Sequence, residues 1–227
     1  MQGMGSGQGF WTLLSPDERN ALSSLGAARD YPAGATLCLE GDPTTLVFVL
    51  LRGWVKILST TRDGHEVVRA LRGDGDIVGE TAGETTGRRN ATIQAIGRVR
   101  ALVVPHDKFS SFLDANQGAD RAYRRVVNQK WNDTDTMLRR YAGTTGAQRL
   151  AALLLDLAER HGRDVDGATH LAMPLSQQEL ASLAGTSRAT VTRAFSNWRK
   201  RRLIQTGQRR ITILDQTALG KLAGRQQ

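Results

Sequence analysis

Short apolar runs separated by turn residues dominate residues 29–104. The turns carry glycine, as in Pro32-Ala-Gly34, Gly41-Asp-Pro43 and Arg52-Gly53, and recur at Arg62-Asp-Gly64 and Gly73-Asp-Gly-Asp76. Many short strands with regularly spaced turns are typical of a small antiparallel barrel or roll. The predicted strands lie at residues 36–39, 47–51, 54–58, 66–71, 92–96 and 99–104.

Helical periodicity flanks this predicted roll. Residues 10–22 form one predicted short helix, in which Ser15 caps a Pro and acidic first turn, and residues 105–113 form another. A long helix is predicted over 119–142 and an amphipathic one over 147–161. Positions on the long helix alternate in steps of three and four, the spacing of a two-helix seam, and predict a dimer interface: Val127, Lys130, Thr134, Met137 and Tyr141.

Residues 175–202 have the pattern of a helix-turn-helix. Ser176 and Glu179 form a predicted capping box, Gly185 provides the turn, and Ser187 caps a second helix with Val191, Ala194, Phe195 and Trp198 on its apolar face. Runs at 203–204 and 210–214 predict a short wing. Side chains off the apolar face, namely Arg188, Ala189, Thr192 and Arg193, are placed for reading bases in a major groove. The alternative is a solvated basic face on an ordinary helical hairpin.

Charge and composition support two domains and a nucleic-acid partner. The 227-residue chain has a formal charge of +9, and residues 143–227 hold 13 Lys and Arg against six Asp and Glu, as expected for a phosphate-binding surface. The lone Cys38, predicted in a core strand, excludes an internal disulfide and a cysteine-ligated iron–sulfur cluster or zinc site. Without a signal peptide or an apolar run of membrane length, we expect a cytoplasmic protein with no membrane partner.

Other candidate sites have weaker patterns. His161, Asp164, Asp166 and His170 match no standard metal-ligand spacing and are interpreted as a solvated loop. His65 is interpreted as an exposed hairpin-tip residue, with haem ligation as a remote alternative, and His106 as a helix start. No nucleophile, base and orienting group occur at a recognisable spacing, so we expect neither an enzyme nor a metal site.

Over residues 12–216 the chain resembles the cyclic-AMP receptor protein/fumarate-nitrate regulator (CRP/FNR) family. The resemblance is carried by the glycine pattern through Gly73-Asp-Gly-Asp-Ile-Val-Gly-Glu80 and by Ser187-Arg-Ala-Thr-Val-Thr-Arg193. It implies an α+β homodimer that binds double-stranded DNA at a two-fold symmetric operator and acts with RNA polymerase. The expected organisation is a disordered 1–10, an effector-binding β-roll at 11–116, a dimerisation helix at 117–142, a hinge at 143–147, a winged helix-turn-helix at 148–220 and a flexible tail at 221–227.

The resemblance also implies an effector site for a cyclic nucleotide, with cyclic AMP as the candidate. Glu80 would accept the ribose hydroxyl and Arg89 would pair with the phosphate, while Asn90 stands where relatives have a smaller residue. Two alternatives remain: Glu80 and Arg89 form a structural ion pair, and Thr134 fixes the register of the seam. The implied effector residues are Gly79, Glu80, Thr81, Ala82, Arg89, Asn90, Thr134 and Asp135.

On the DNA side, the resemblance implies base reading by Arg188 and Arg193, with Ala189 where many relatives have glutamate. The implied contacts to bases and phosphates are Ser176, Gln177, Gln178, Ser187, Arg188, Ala189, Thr190, Thr192, Arg193, Lys200 and Arg209. Three further alternatives stay open: another small effector, a constitutive regulator whose roll binds nothing, and a nucleotide-binding module that acts by protein contact. The residues do not decide between an activator and a repressor.

Overall fold

The computed structural model describes residues 9–43, 46–61, 63–64, 66–80, 87–141, 143–171, 175–207 and 210–224, without the side chains of 133–141, 160 and 161. His65, Thr81, Ala82 and Arg209 thus lie outside the described residues. The contacts divide the chain into two compact units, one ending at Thr134 and the other beginning at Asp135.

The first unit is a roll of two four-stranded antiparallel sheets. One sheet has the order β1-β8-β3-β6 and the other β2-β7-β4-β5. The six predicted strands are all present, as β2, β3, β4, β5, β7 and β8. The strand bounds are β1 Ala27–Tyr31, β2 Thr36–Cys38, β3 Leu46–Arg52, β4 Val55–Thr60, β5 Glu66–Arg72, β6 Ile77–Val78, β7 Thr92–Ala95 and β8 Val99–Pro105.

Strand β3 has both faces buried, which gives the roll two apolar cores. Phe48 and Leu50 face the second sheet and pack with Val55 and Ile93 in the roll interior. Val47 and Val49, on the opposite face, pack against the helices. Alternation along a strand explains how one continuous apolar run serves both cores.

Four helices cover the outer face of the first sheet: α1 Phe10–Leu13, α2 Pro16–Ser24, α3 His106–Ala115 and α4 Gln117–Tyr141. The prediction of a single helix over 10–22 is wrong. Ser15 accepts a hydrogen bond from Glu18 N, and the Glu18 carboxylate accepts one from Ser15 N. This capping box starts a new helix at Pro16 and leaves α1 as a separate turn with a fully buried Phe10.

The second unit carries α5 Gly146–His161, β9 Arg163–Val165, β10 Ala168–Leu171, α6 Gln177–Leu183, α7 Arg188–Lys200, β11 Ile204–Gly207, β12 Arg210–Ile213 and α8 Gln216–Leu222. Helix α5 packs against α6, α7, α8 and β10. The four strands form one antiparallel sheet in the order β11-β12-β10-β9. The predicted two-stranded wing is therefore one edge of a larger sheet.

The solvated loop predicted around Asp164 and Asp166 is instead the β9–β10 hairpin. Asp166 and Gly167 both have positive φ, 51° and 77°, as a two-residue type I′ turn requires. The Asp-Gly pair was the available signal. In the described part of the chain, no three His, Cys, Asp or Glu side chains are grouped as metal ligands.

Strands β1 and β6 of the roll were not predicted from the sequence, and the reason is the same for both. β1 is an edge strand with nearly all of its side chains exposed, and β6 has two residues. Neither presents an apolar alternation.

Cys38 lies buried in β2 as predicted, and burial raises the pKa of its thiol. No helix in the described ranges has the length and apolar character for crossing a membrane.

Candidate effector and DNA-binding sites

Glu80 and Arg89 are the two charged residues that are buried among the described residues, at 5% and 3% exposure. Both lie in the first unit, at the two ends of the segment that follows β6. Burial of a charge is costly unless the group is paired or hydrogen-bonded. The hydrogen-bond partners of Glu80 and Arg89 therefore decide whether these side chains can also bind a ligand.

Backbone carbonyls hold the Arg89 guanidinium. Nη1 donates to Gly79 O at 2.8 Å and Nη2 to Leu46 O at 2.6 Å, and the group lies 5.6 Å from the centre of the Phe48 ring. Gly79 has a φ of 78°, and a Cβ there would approach Nη1 to 2.6 Å. Because Gly79 has no side chain, the Arg89 guanidinium has room beside it. The two carbonyl hydrogen bonds hold the guanidinium there, near Phe48 of the roll interior.

Lys130 of α4 holds Glu80. Its Nζ lies 2.7 Å from Glu80 Oε1 and also donates to Ile77 O at 2.6 Å. The interpretation of Lys130 as a seam residue is wrong, because its side chain points back to the roll. The alternative of a Glu80–Arg89 ion pair is also wrong, since the described partner of the Glu80 carboxylate is Lys130.

The other predicted effector residues are less completely placed. The Asn90 side chain is exposed directly after Arg89, and Gly79 contributes its carbonyl. Thr81 and Ala82 lie outside the described residues. Thr134 and Asp135 lie on α4, one turn beyond Lys130, with side chains outside the description. The structure thus brings Gly79, Glu80, Arg89 and Lys130 together.

Capping fixes the helix-turn-helix as predicted. Ser176 Oγ accepts from Glu179 N, and the Glu179 carboxylate accepts from Ser176 N. Ser187 Oγ accepts from Thr190 N at the start of α7. Gly185, with φ of 54°, makes the turn between α6 and α7.

Helix α7 buries one face and exposes the predicted reading face. Val191, Ala194, Phe195 and Trp198 are buried, whereas Arg188, Ala189, Thr192, Arg193 and Lys200 are exposed. Thr192 Oγ1 donates to Gln177 Oε1 at 2.7 Å, which joins the two helices on this face. Exposed Ser176 and Gln178 begin α6 nearby. The arrangement presents arginines at the first turns of α7, where a recognition helix contacts base edges.

Arg149 of α5 is a structural residue that sequence reasoning missed. Its guanidinium donates to Ala184 O at 2.9 Å, Gly185 O at 2.7 Å and Thr144 O at 2.6 Å. The three bonds tie the residues before α5 to the turn before α7. An arginine one turn before Leu153 of the predicted apolar face was the available signal, but two of its partners lie 35 and 36 residues away and no local pattern points to them.

Two family models match the chain, one within the first unit and one within the second. The model described as the cyclic nucleotide-binding domain matches residues 28–116, and that described as the Crp-like helix-turn-helix domain matches 148–222. The chain belongs to the CRP/FNR family of transcription regulators. Its function is accordingly that of a DNA-binding transcription regulator with a cyclic nucleotide-binding domain.

Named CRP/FNR relatives span nearly the same length. A "CRP-like cAMP-activated global transcriptional regulator" of Mycobacterium tuberculosis is 29% identical over 215 residues, covering 95% of this chain and 96% of its own. "Transcriptional activator protein FnrA" of Stutzerimonas stutzeri is 24% identical over 212 residues, covering 93% and 86%.

Solved structures in the CRP/FNR family share the fold. FixK2 from Bradyrhizobium japonicum aligns with a TM-score of 0.76 at 19% identity, over 89% of this chain and 99% of its own. A CooA mutant from Carboxydothermus hydrogenoformans aligns with a TM-score of 0.77 at 20% identity, over 96% of each chain. At this identity the likeness concerns the fold.

The Lys130–Glu80 pair yields a stability prediction. Lys130→Met leaves a buried carboxylate without its cation, so we expect the free energy of unfolding to fall by about 3 kcal/mol. Glu80→Gln in the Lys130→Met background removes the charge and restores most of the loss. Urea unfolding of the two single variants and the double variant measures the coupling. Independent, additive effects of the two changes would contradict the pairing.

Arg149 gives a second stability prediction. Arg149→Met removes donors from three carbonyls, and we expect the second unit to lose about 2 kcal/mol of unfolding free energy. Arg163→Met is the matched control, because Arg163 is exposed in β9 and its loss costs little. Urea unfolding followed by fluorescence compares the variants in a background in which Trp11, Trp54 and Trp131 are replaced by phenylalanine, so that the signal comes from Trp198 in the second unit. Equal stability of both would show that the Arg149 bonds are energetically neutral.

Proposed function

We propose that this CRP/FNR regulator is a homodimer in which a cyclic nucleotide, cyclic AMP in the first instance, binds the roll and controls affinity for a two-fold symmetric operator. Binding acts by population shift, because a ligand that prefers the DNA-competent state stabilises that state. Residues 143–147 are the proposed hinge between the dimerisation helix and the DNA-binding domain. The DNA-bound dimer then acts on transcription with RNA polymerase.

The burial of Glu80 and Arg89 carries the effector assignment. Among described residues they are the two buried charged groups, and they match the two roles that the family resemblance assigns. The Arg89 guanidinium can pair with a phosphate oxygen. A ribose hydroxyl can donate to the Glu80 carboxylate, which accepts a hydrogen bond from Lys130 Nζ. Asn90, with Thr81, Ala82, Thr134 and Asp135, completes the proposed ligand contacts.

The Lys130–Glu80 pair also favours a second candidate function. A carboxylate that already has a cation 2.7 Å away is satisfied without a ligand. In that case the roll serves as a dimerisation platform for a constitutive regulator. The two candidates differ in whether nucleotide binds at all.

The DNA assignment rests on the exposed face of α7. Arg188 and Arg193 can each donate two hydrogen bonds to guanine O6 and N7, and Ala189 offers a methyl group to thymine. Ser176, Gln177, Gln178, Ser187, Thr190, Thr192, Lys200 and Arg209 are the proposed supporting contacts. Several of these positions lie near helix N-termini, where backbone amides also favour phosphate.

The dimer assignment rests on α4. Trp131 is 70% exposed in the single chain although it is a large apolar residue, and it lies on the helix face away from buried Ala122 and Val126. A second α4 packed along this face would bury it. Aromatic residues such as tryptophan are enriched at protein–protein interfaces, which supports this face of α4 as the proposed dimer contact.

Titration with nucleotide tests the effector assignment. We expect cyclic AMP to bind saturably with one site per chain, and Arg89→Ala to weaken binding at least tenfold because the phosphate loses its charged partner. Isothermal titration calorimetry measures both. Binding that is indifferent to Arg89→Ala would place the nucleotide elsewhere, and no heat with the wild type would favour the constitutive regulator.

Two substitutions on α7 separate base reading from phosphate binding. Arg188→Ala should cost about 1–3 kcal/mol on the preferred operator and relax selectivity at one base pair. Lys200→Ala should weaken all sequences alike and reduce the slope of log affinity against log salt by about one. Fluorescence anisotropy with operator and scrambled duplexes measures both. Unchanged operator preference in Arg188→Ala would contradict the assignment of α7.

A further inference from the structure

A β-bulge places Arg69 outside the regular alternation of β5. Strands β4 and β5 pair from Val55 with Arg72 to Ile57 with Ala70, and pairing then resumes at Leu58 with Val68. Arg69 is the extra residue. Bulges redirect side chains and are frequent next to functional sites.

The bulge directs Arg69 toward the interior face of its sheet. Its Nη1 donates to Ser59 Oγ at 3.1 Å and lies 3.4 Å from Asn90 O. Ser59 follows Val55 and Ile57 at two-residue spacing, and these two pack in the roll interior. The Arg69 guanidinium therefore lies on the same face as the core, while the residue as a whole remains exposed.

Arg69 brings a second cation to the backbone of the residue that follows Arg89. Asn90, whose carbonyl lies beside Arg69, is bonded directly to Arg89, and Arg88 on the other side donates to Gly41 O at 3.0 Å. The described ion pairs are Arg124–Asp120 and Lys130–Glu80, so Arg69 has no carboxylate partner among the described residues. An arginine whose acceptors are neutral oxygens can form stronger, charge-assisted bonds to an anion.

We propose that Arg69 forms a second phosphate-binding position beside Arg89, and that the preferred effector is a nucleotide with two phosphate groups. The inference rests on the proposed effector function of the roll and specifies its ligand class. A cyclic mononucleotide carries one negative charge, which one arginine neutralises. A second phosphate would replace the neutral oxygens of Ser59 and Asn90 as the acceptor for Arg69, with shorter and stronger charge-assisted bonds.

Calorimetric titration of the full chain with three probes tests this ligand class. Cyclic AMP carries one phosphate, cyclic di-GMP carries two in a ring, and ADP carries two in a linear chain. We expect cyclic di-GMP or ADP to bind the wild type at least tenfold more tightly than cyclic AMP, and whichever binds tightly identifies the source of the second phosphate. Arg69→Met should shrink that preference about tenfold.

The control variant is Arg100→Met, an exposed arginine of β8 in the opposite sheet, for which the preference should stay at the wild-type value. Thermal unfolding checks that each variant is folded. A wild type that binds cyclic AMP as tightly as the two-phosphate probes, or an Arg69→Met variant that loses affinity for all three equally, would overturn the proposal.

Failure of the proposed effector function has a different signature. Two-phosphate probes that bind in an Arg69-dependent manner without any cyclic AMP binding would support the second position and reject cyclic AMP as effector. Cyclic AMP that binds through Arg89 with no preference for a second phosphate would reject the second position and leave the effector function standing. Absence of binding by all three probes would overturn both.

Discussion

The fold of the first unit depends on satisfying two buried charges. The Glu80 carboxylate and the Arg89 guanidinium lie at the edge of an otherwise apolar roll, where an unpaired charge would cost several kcal/mol. Arg89 is satisfied within the roll, by the carbonyls of Gly79 and Leu46. Glu80 is satisfied from outside the roll, by Lys130 of α4. The charge balance of the proposed effector site is thereby linked to α4, the helix that also exposes Trp131.

In the second unit, hydrogen bonds at the helix ends determine where the helices begin. Thr145, Ser176, Ser187 and Asp215 each cap the start of a helix, which fixes where α5, α6, α7 and α8 begin. Arg149 adds three bonds that hold the start of α5 to the turn between α6 and α7. These hydrogen bonds fix where α7 begins, and Arg149 connects Thr144 directly to the turn that precedes α7.

Local signals made much of this predictable. Capping boxes, turn glycines and apolar periodicity act over three to ten residues, and they located the six strands, the helix-turn-helix and the burial of Trp198 correctly. Lys130 contacts a carboxylate 50 positions away, Arg149 contacts carbonyls 35 positions away, and Arg69 owes its direction to a pairing irregularity. No local pattern encodes such contacts. β1 was missed because an exposed edge strand needs no apolar alternation.

Thermodynamic coupling between the two sites tests the central claim most directly. Operator affinity would be measured by anisotropy with and without saturating cyclic AMP or cyclic di-GMP, and nucleotide affinity by calorimetry with and without operator. We expect the effective nucleotide to change operator affinity by about 5- to 150-fold, and operator to change nucleotide affinity by the same factor. Operator affinity that is identical with and without bound nucleotide would contradict it.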